Sequence, residues 1–209
     1  MFDAILQNVT RYVSLTEGEK EKFTSALQPK KLLKHQYLVQ AGEACRYECY
    51  VNKGCLRQYY VDDGGHEHII MFAIEDWWTS DMHSLVTGNK ALTNIDALEN
   101  SELLLIERTM FERLLSEIPK LERHFRMMLQ RAFISHQRRL IENMSLPADQ
   151  RYSRFLIQYP QLEPRIPQKL IASFLGITPE SLSRIRRSSE VWGRPAAFLI
   201  IIDQFNFLS

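Results

Sequence analysis

The stretch Ile166 to Arg187 carries the residue types and spacing best suited to chemistry. Pro167 can open a helix at its first turn, and Leu170, Ile171, Phe174 and Leu175 supply that helix with an apolar face. Gly176 stands where the helix must stop, because glycine takes the left-handed conformation without steric cost. Ile177 is an apolar plug in the turn. Thr178 is then an N-cap, Pro179 takes the first helical position, and Glu180 lies in the first turn, where negative charge suits the helix dipole. The pattern is helix, short glycine turn, helix.

On the second helix, at about 100° per residue, Glu180, Arg184 and Arg187 fall in a narrow arc opposite Leu182 and Ile185, with Ser181 and Ser183 at its flanks. A guanidinium makes a forked pair with guanine and a carboxylate accepts from cytosine, so this arc can read major-groove edges. Lys169, Arg186 and the serine hydroxyls are suited to phosphates. The competing reading is a helical hairpin with a solvated charged face; the punctuation from Gly176 to Pro179 argues against it.

A second candidate is His66-Glu67-His68. Histidines at i and i+2 on a strand share a face and can grip a metal, as in cupin-like β-barrel enzymes. The next carboxylate, Glu75, is seven residues on, and on a strand that odd spacing puts it on the opposite face; no third ligand with suitable spacing follows. Hairpin polar residues are the simpler reading, and a metal-dependent enzyme or ligand-binding protein built on His66 and His68 is the rival class.

The elements around these residues can be read from periodicity. Phe2 to Leu27 is helical, with Thr16 and Glu19 as a capping box for a second short helix. From Lys31 to Leu105 short alternating stretches end in glycine turns, notably Asp62-Asp63-Gly64-Gly65, which signals an all-β roll. The segment 92–107 reads as a closing hairpin that turns near Glu99-Asn100-Ser101. From Thr109 the pattern is helical again, and Pro119 introduces a long helix to about Asn143. Leu121, Phe125, Met128, Ala132 and Ser135 form one stripe along it, and Leu129, Phe133, His136 and Leu140 a second, so one face can dock on the roll and the other on a partner helix.

Charge follows the same division. Residues 1–115 carry a net charge of −5, whereas 116–144 and 145–190 each carry +3. An acidic front and a basic rear suit a sensor joined to a nucleic-acid reader. Three cysteines without paired spacing, no basic leader at the start, and a longest apolar run of only Ala196 to Ile202 lead us to expect a reduced, cytoplasmic protein without a membrane span.

The chain resembles the Crp/Fnr-type transcription regulators, in particular a Bacteroidetes-like branch. "YVNKGCLRQYYVDDGG", "FAIEDWWTSD", "ALENSELLLI" and "IPQKLIASFLGITPESLSRIRR" carry the resemblance, which spans about residues 5–188. It implies an α+β chain: a cyclic nucleotide-binding-like β-roll of the double-stranded β-helix or jelly-roll type over 1–118, a dimerisation helix over 119–144, and a winged helix-turn-helix over 145–209. By position, Glu180, Ser181 and Arg184 match the family's base-reading residues, and Gln168 falls where a phosphate-contacting side chain is common. The expected DNA-binding set is therefore Gln168, Lys169, Thr178, Glu180, Ser181, Ser183, Arg184 and Arg187. The implied partners are an inverted repeat in double-stranded DNA, a second copy of the chain, RNA polymerase and an unidentified small-molecule effector.

The sensor half departs from the family pattern. Its cyclic-nucleotide binders hold the phosphate with a Gly-Glu pair and an Arg-Ser or Arg-Thr pair. Here the aligned positions hold Thr79 and Ser80, then Ala91 and Leu92, with Lys90 a poorer fork. No physiological binding of a cyclic nucleotide is expected; an apolar pocket near Trp77 and Trp78 could take another ligand, although core filling is the simpler role for that pair. Iron–sulfur sensors need four thiolates, against Cys45, Cys49 and Cys55 here, which are expected within strands. Nothing marks one of His35, His66, His68 or His83 as a haem ligand. No cofactor is expected, and no catalytic residue. The end, "SSEVWGRPAAFLIIIDQFNFLS", departs from a two-stranded wing: Trp192 to Pro195 reads as a turn, and Ala196 to Phe207 as a strand or an apolar segment docked on the helices.

Overall fold

The computed structural model describes residues 2–191. The chain divides into two units, Met1–Glu142 and Asn143–Ser209. The expected wing lies outside the described residues.

The first unit opens with α1 (Asp3–Thr10) and α2 (Glu17–Ser25). The capping box that opens α2 is formed: Thr16 Oγ1 accepts from the Glu19 amide at 3.3 Å, and the Glu19 carboxylate accepts from the Thr16 amide at 2.7 Å. The strands follow: β1 (Gln28–Leu32), β2 (Tyr37–Val39), β3 (Tyr47–Lys53), β4 (Leu56–Val61), β5 (Glu67–Ala73) and β6 (Trp78–Thr79). After the short helix α3 (Met82–Thr87) come β7 (Asn94–Ala97) and β8 (Ser101–Glu107), then α4 (Arg108–Glu117) and the long α5 (Lys120–Ser145).

Two four-stranded antiparallel sheets form the roll, ordered β1-β8-β3-β6 and β2-β7-β4-β5. Leu32, Val39, Cys49, Val51, Leu56, Ile95, Leu103 and Leu105 fill a core drawn from both sheets. Alternate residues of the first sheet, Tyr50, Leu104 and Ile106, pack instead with Ile5 and Val9 of α1, Phe23 of α2, Leu114 of α4, and Leu121 and Phe125 of α5. Two buried clusters thus share one sheet, and the helices cover its other side.

The closing hairpin expected over 92–107 does not form. β7 pairs with β2 and β4, whereas β8 pairs with β1 and β3, so the turn at Glu99–Asn100 is a corner between sheets. Alternation and a turn signal are the same for a corner and a hairpin; strand partners depend on distant residues. Among the described strands only β4 and β5 are consecutive and paired. Their turn is held by Asp62, whose Oδ1 accepts from the amides of Gly64 and His66, each at 2.9 Å, and Gly65 there has φ 79°.

The cysteines are buried, but only Cys49 lies in a strand; Cys45 and Cys55 sit in connections. Both tryptophans are half-buried and pack against the two buried clusters. Trp78 makes edge contacts with Tyr50 and Phe125, at centroid distances of 5.4 and 5.1 Å, and donates to Asn8 Oδ1 at 3.0 Å. Asn8 in turn donates to the carboxylate and carbonyl of Asp76, and Arg11 pairs with the same carboxylate, so α1 is tied to the β5–β6 turn. Trp77 packs on the core between the sheets.

The second unit comprises α6 (Ala148–Gln158), α7 (Gln168–Phe174) and α8 (Pro179–Val191), with Tyr152, Phe155, Leu162, Ile166, Leu170, Ile171, Leu175 and Leu182 buried.

Candidate nucleic-acid interface

The turn between α7 and α8 is built as its residues dictate. Gly176 is left-handed at φ 64°. The Ile177 amide reaches back to the Ala172 carbonyl at 3.0 Å and the Gly176 amide to Ser173 at 3.1 Å, closing the helix end in the manner of a Schellman turn. Arg151 of α6 lies against this glycine, 3.8 Å from where a Cβ would stand. Thr178 Oγ1 accepts from the Ser181 amide at 3.2 Å, so Thr178 caps α8 and Pro179 is its first residue. Part of the hydrogen-bonding capacity of Thr178 is therefore committed within the motif.

Leu182 is fully buried and orients α8 on α6 and α7. That leaves Glu180, Arg184 and Arg187 exposed together, about one helical turn apart. Ser181 and Ser183 flank them, half-buried, and steady the two guanidiniums: Arg184 Nη2 donates to Ser181 Oγ and Arg187 Nη2 to Ser183 Oγ, each at 3.4 Å. Gln168 and Lys169 are exposed in the first turn of α7. The structure thus brings five of the eight sequence-chosen residues, from Glu180 to Arg187, onto one side of α8; Thr178 caps that helix, and Gln168 and Lys169 stand on α7. Arg186 differs from expectation: it is half-buried and faces Glu163 at 3.5 Å, so its charge is partly answered within the unit. Neither that pair nor the Arg151–Gly176 contact had a signal in the sequence, because both join residues distant along the chain.

The rival His66/His68 constellation is arranged differently from a strand-borne ligand pair. His66 precedes β5 and lies in the turn. His66 Nδ1 is 3.2 Å from Asp62 Oδ1, and His68 Nε2 is 2.8 Å from Asp62 Oδ2. The hydrogen bond with His68, then those with His66, hold the Asp62 carboxyl well below its ordinary pKa. Glu75 lies beyond β5, where its Oε1 accepts from the Gly54 amide at 2.7 Å. Among the described residues no group of three or more His, Cys, Asp or Glu is placed to hold a metal ion.

In the first unit, Thr79 and Ser80 are both buried, and Ser80 donates to Glu48 at 3.0 Å. Burial raises the Glu48 carboxyl to about 7, against the lowering effect of that bond. On the second sheet, Arg57 is forked onto Asp96, at 2.7 and 3.0 Å, and also bonds Glu67. Burial opposes its charge, but the bonds to Asp96 and Glu67 raise its pKa above the ordinary value. This cation thus serves to join three strands.

The family model of the cyclic nucleotide-binding domain matches residues 29–117. The fumarate and nitrate reduction regulatory protein of Vibrio cholerae serotype O1 is 22% identical over 213 residues, covering 93% of this chain and 83% of that one. FixK2 from Bradyrhizobium japonicum superposes with a TM-score of 0.72 at 17% identity, over 80% of this chain and 86% of that one. A Crp/Fnr-family protein from Eubacterium rectale superposes with a TM-score of 0.69 at 18% identity, over 90% of this chain and 89% of that one. The chain has the Crp/Fnr regulator fold. Within that fold, α7 and α8 form a helix-turn-helix pair. No described helix is long and apolar enough to cross a membrane.

Proposed function

We propose that the protein is a homodimeric, sequence-specific DNA-binding transcriptional regulator, acting in the cytoplasm, with an effector other than a cyclic nucleotide. One observation carries the reading: the exposed Glu180–Arg184–Arg187 arc on α8, presented by a capped, glycine-stopped helix pair. In this reading 1–118 is the sensor, 119–144 the dimerisation helix and 145–209 the reader. The long helix supports dimerisation. Leu121 and Phe125 are buried, whereas Leu129, Phe133, Ile134, Leu140 and Ile141 are exposed in the single chain, and such an apolar run needs a partner. Two copies would present their α8 helices to successive major grooves about 34 Å apart, so the target is an inverted repeat. Glu180, Arg184 and Arg187, with Ser181, form the base-reading arc; Gln168, Lys169, Thr178 and Ser183 contact the backbone or support the readers. RNA polymerase is the partner through which such a protein acts.

The test is footprinting of the tagged protein on genomic DNA, followed by Arg184→Ala on the recovered site. The expected result is a palindromic footprint and relaxed preference at one base position in each half-site. Protection without sequence preference, or preference unchanged in the variant, would remove the assignment. Stoichiometric iron, manganese or zinc in the purified protein would favour the metal-dependent alternative.

A further inference from the structure

Asp81 is 2% exposed, and its carboxylate is surrounded by donors. Oδ1 accepts from the Ser84 amide at 2.9 Å. Oδ2 accepts from the amides of Leu92 at 3.2 Å and Thr93 at 3.0 Å, and from Thr93 Oγ1 at 2.6 Å. All four donors are neutral, and they come from two stretches, one in α3 and one at the entry to β7. Backbone amides converging on one oxyanion make an anion hole. Asp81 is the N-cap of α3, and the same carboxylate also takes the two amides at the entry to β7.

The surroundings of the hole are themselves fixed. Gln58 of β4 donates to Thr93 Oγ1 at 2.8 Å. Ser84 Oγ donates to the Asn89 carbonyl at 2.6 Å and accepts from the Cys45 amide at 2.8 Å. The Ala91 amide donates to the Glu43 carbonyl at 2.7 Å. The excursion 81–93 is therefore bonded to the loop before β3 and to β4, and Asp81 joins its two ends across the middle. This excursion lies inside the part of the chain that matches a cyclic nucleotide-binding domain, whose namesake ligands are phosphodiester anions.

We propose that Asp81 is a built-in anion: its carboxylate draws Leu92 and Thr93 onto α3 and holds the segment 81–93 closed without any effector. The sensor is then constitutively in a closed form, and a cyclic nucleotide has nothing to add at this point. The inference deepens the reading of the effector as other than a cyclic nucleotide.

The test uses the full-length chain and needs no DNA, so its failure is separable from failure of the DNA-binding reading. Amide hydrogen exchange at Ser84, Leu92 and Thr93 is measured by NMR in the wild type, Asp81→Gly and Asp81→Asn, with acetate or chloride at matched ionic strength and with cyclic AMP. In the wild type the three amides are expected to be protected and indifferent to acetate and cyclic AMP. In Asp81→Gly they should exchange at least about tenfold faster, and acetate, but not chloride, should restore their protection. Unchanged exchange in Asp81→Gly, loss of protection that acetate does not reverse, or protection added by cyclic AMP in the wild type would each overturn the proposal. If Asp81→Gly does not fold, Asp81→Asn decides: it keeps the size and loses the charge, so faster exchange at the three amides supports the built-in anion and unchanged exchange refutes it.

Discussion

Gly54 approaches Ser101 so closely that a Cβ on it would stand 2.7 Å from the Ser101 Cα. This is where the chain leaves β3 in one sheet for β4 in the other, and Gly54 has φ 112°, a conformation that side chains disfavour. Gly54→Ala therefore meets both a steric and a backbone penalty. A loss of at least about 2 kcal/mol in urea unfolding is expected. An unchanged midpoint would mean that the corner can relax around a methyl group.

Two buried groups should give opposite pH dependences. Burial raises Glu48 from 4.5 to about 7, while burial, aided by the Arg11 guanidinium, lowers His124 from 6.5 to about 4. Between pH 4.5 and 7 the native state holds more protons at Glu48 than the unfolded chain does, so this term loses stability as pH rises. Between pH 4 and 6.5 the unfolded chain holds more protons at His124, so that term gains stability as pH rises. Each term amounts to about 3 kcal/mol over its window, and the two largely cancel where they overlap. Glu48→Gln, which can still accept from Ser80, should expose the rising slope; His124→Phe should expose the falling one. Denaturation midpoints measured from pH 4 to pH 8 would check both signs, and parallel profiles for the two variants would contradict the assignment.

Phe133 is 68% exposed on α5, beside exposed Leu129, Ile134 and Leu140. Phe133→Asp should weaken dimerisation at least about 100-fold by sedimentation, because an unpaired carboxylate would be buried at the helix seam. Its folding should be little affected, since Phe133 lies outside the buried contacts that Leu121 and Phe125 make with the roll. A dimer of unchanged affinity would point to another interface.

Lys169 and Arg184 should separate backbone contact from base reading. Lys169→Ala should weaken all DNA sequences alike and reduce the slope of log affinity against log salt by about 1. Arg184→Ala should cost about 1–3 kcal/mol at one base position, with its effect concentrated on the specific site. Titrations against specific and scrambled duplexes at several salt concentrations would distinguish them; a uniform loss from Arg184→Ala would make it a phosphate contact.

Much of the α7–α8 motif was legible because its determinants are local. Gly176, Thr178 and Pro179 act within a few residues of their own position, and the turn, the cap and the exposed arc follow from them. The Thr16–Glu19 capping box was visible for the same reason. The expected hairpin over 92–107 failed because alternation records which way a side chain points and says nothing of which strand lies alongside. The capture of Arg186 by Glu163, and of His66 and His68 by Asp62, was hidden because single charged residues carry no spacing signature of their partners.

By itself the sequence determined the succession of a helical start, a β-roll, a long helix and a helical end, with the glycine-stopped helix pair and the polar arc on its second member. These depend on backbone preference and on periodicity, which act over a few residues. Only the tertiary structure decided that β7 and β8 part company, that Trp78 is a joint between α1, the first sheet and α5, and that Asp81 closes on Leu92 and Thr93. Each of these joins groups that meet only when the roll has folded, and their energy comes from burying and hydrogen-bonding partners that the linear chain keeps apart.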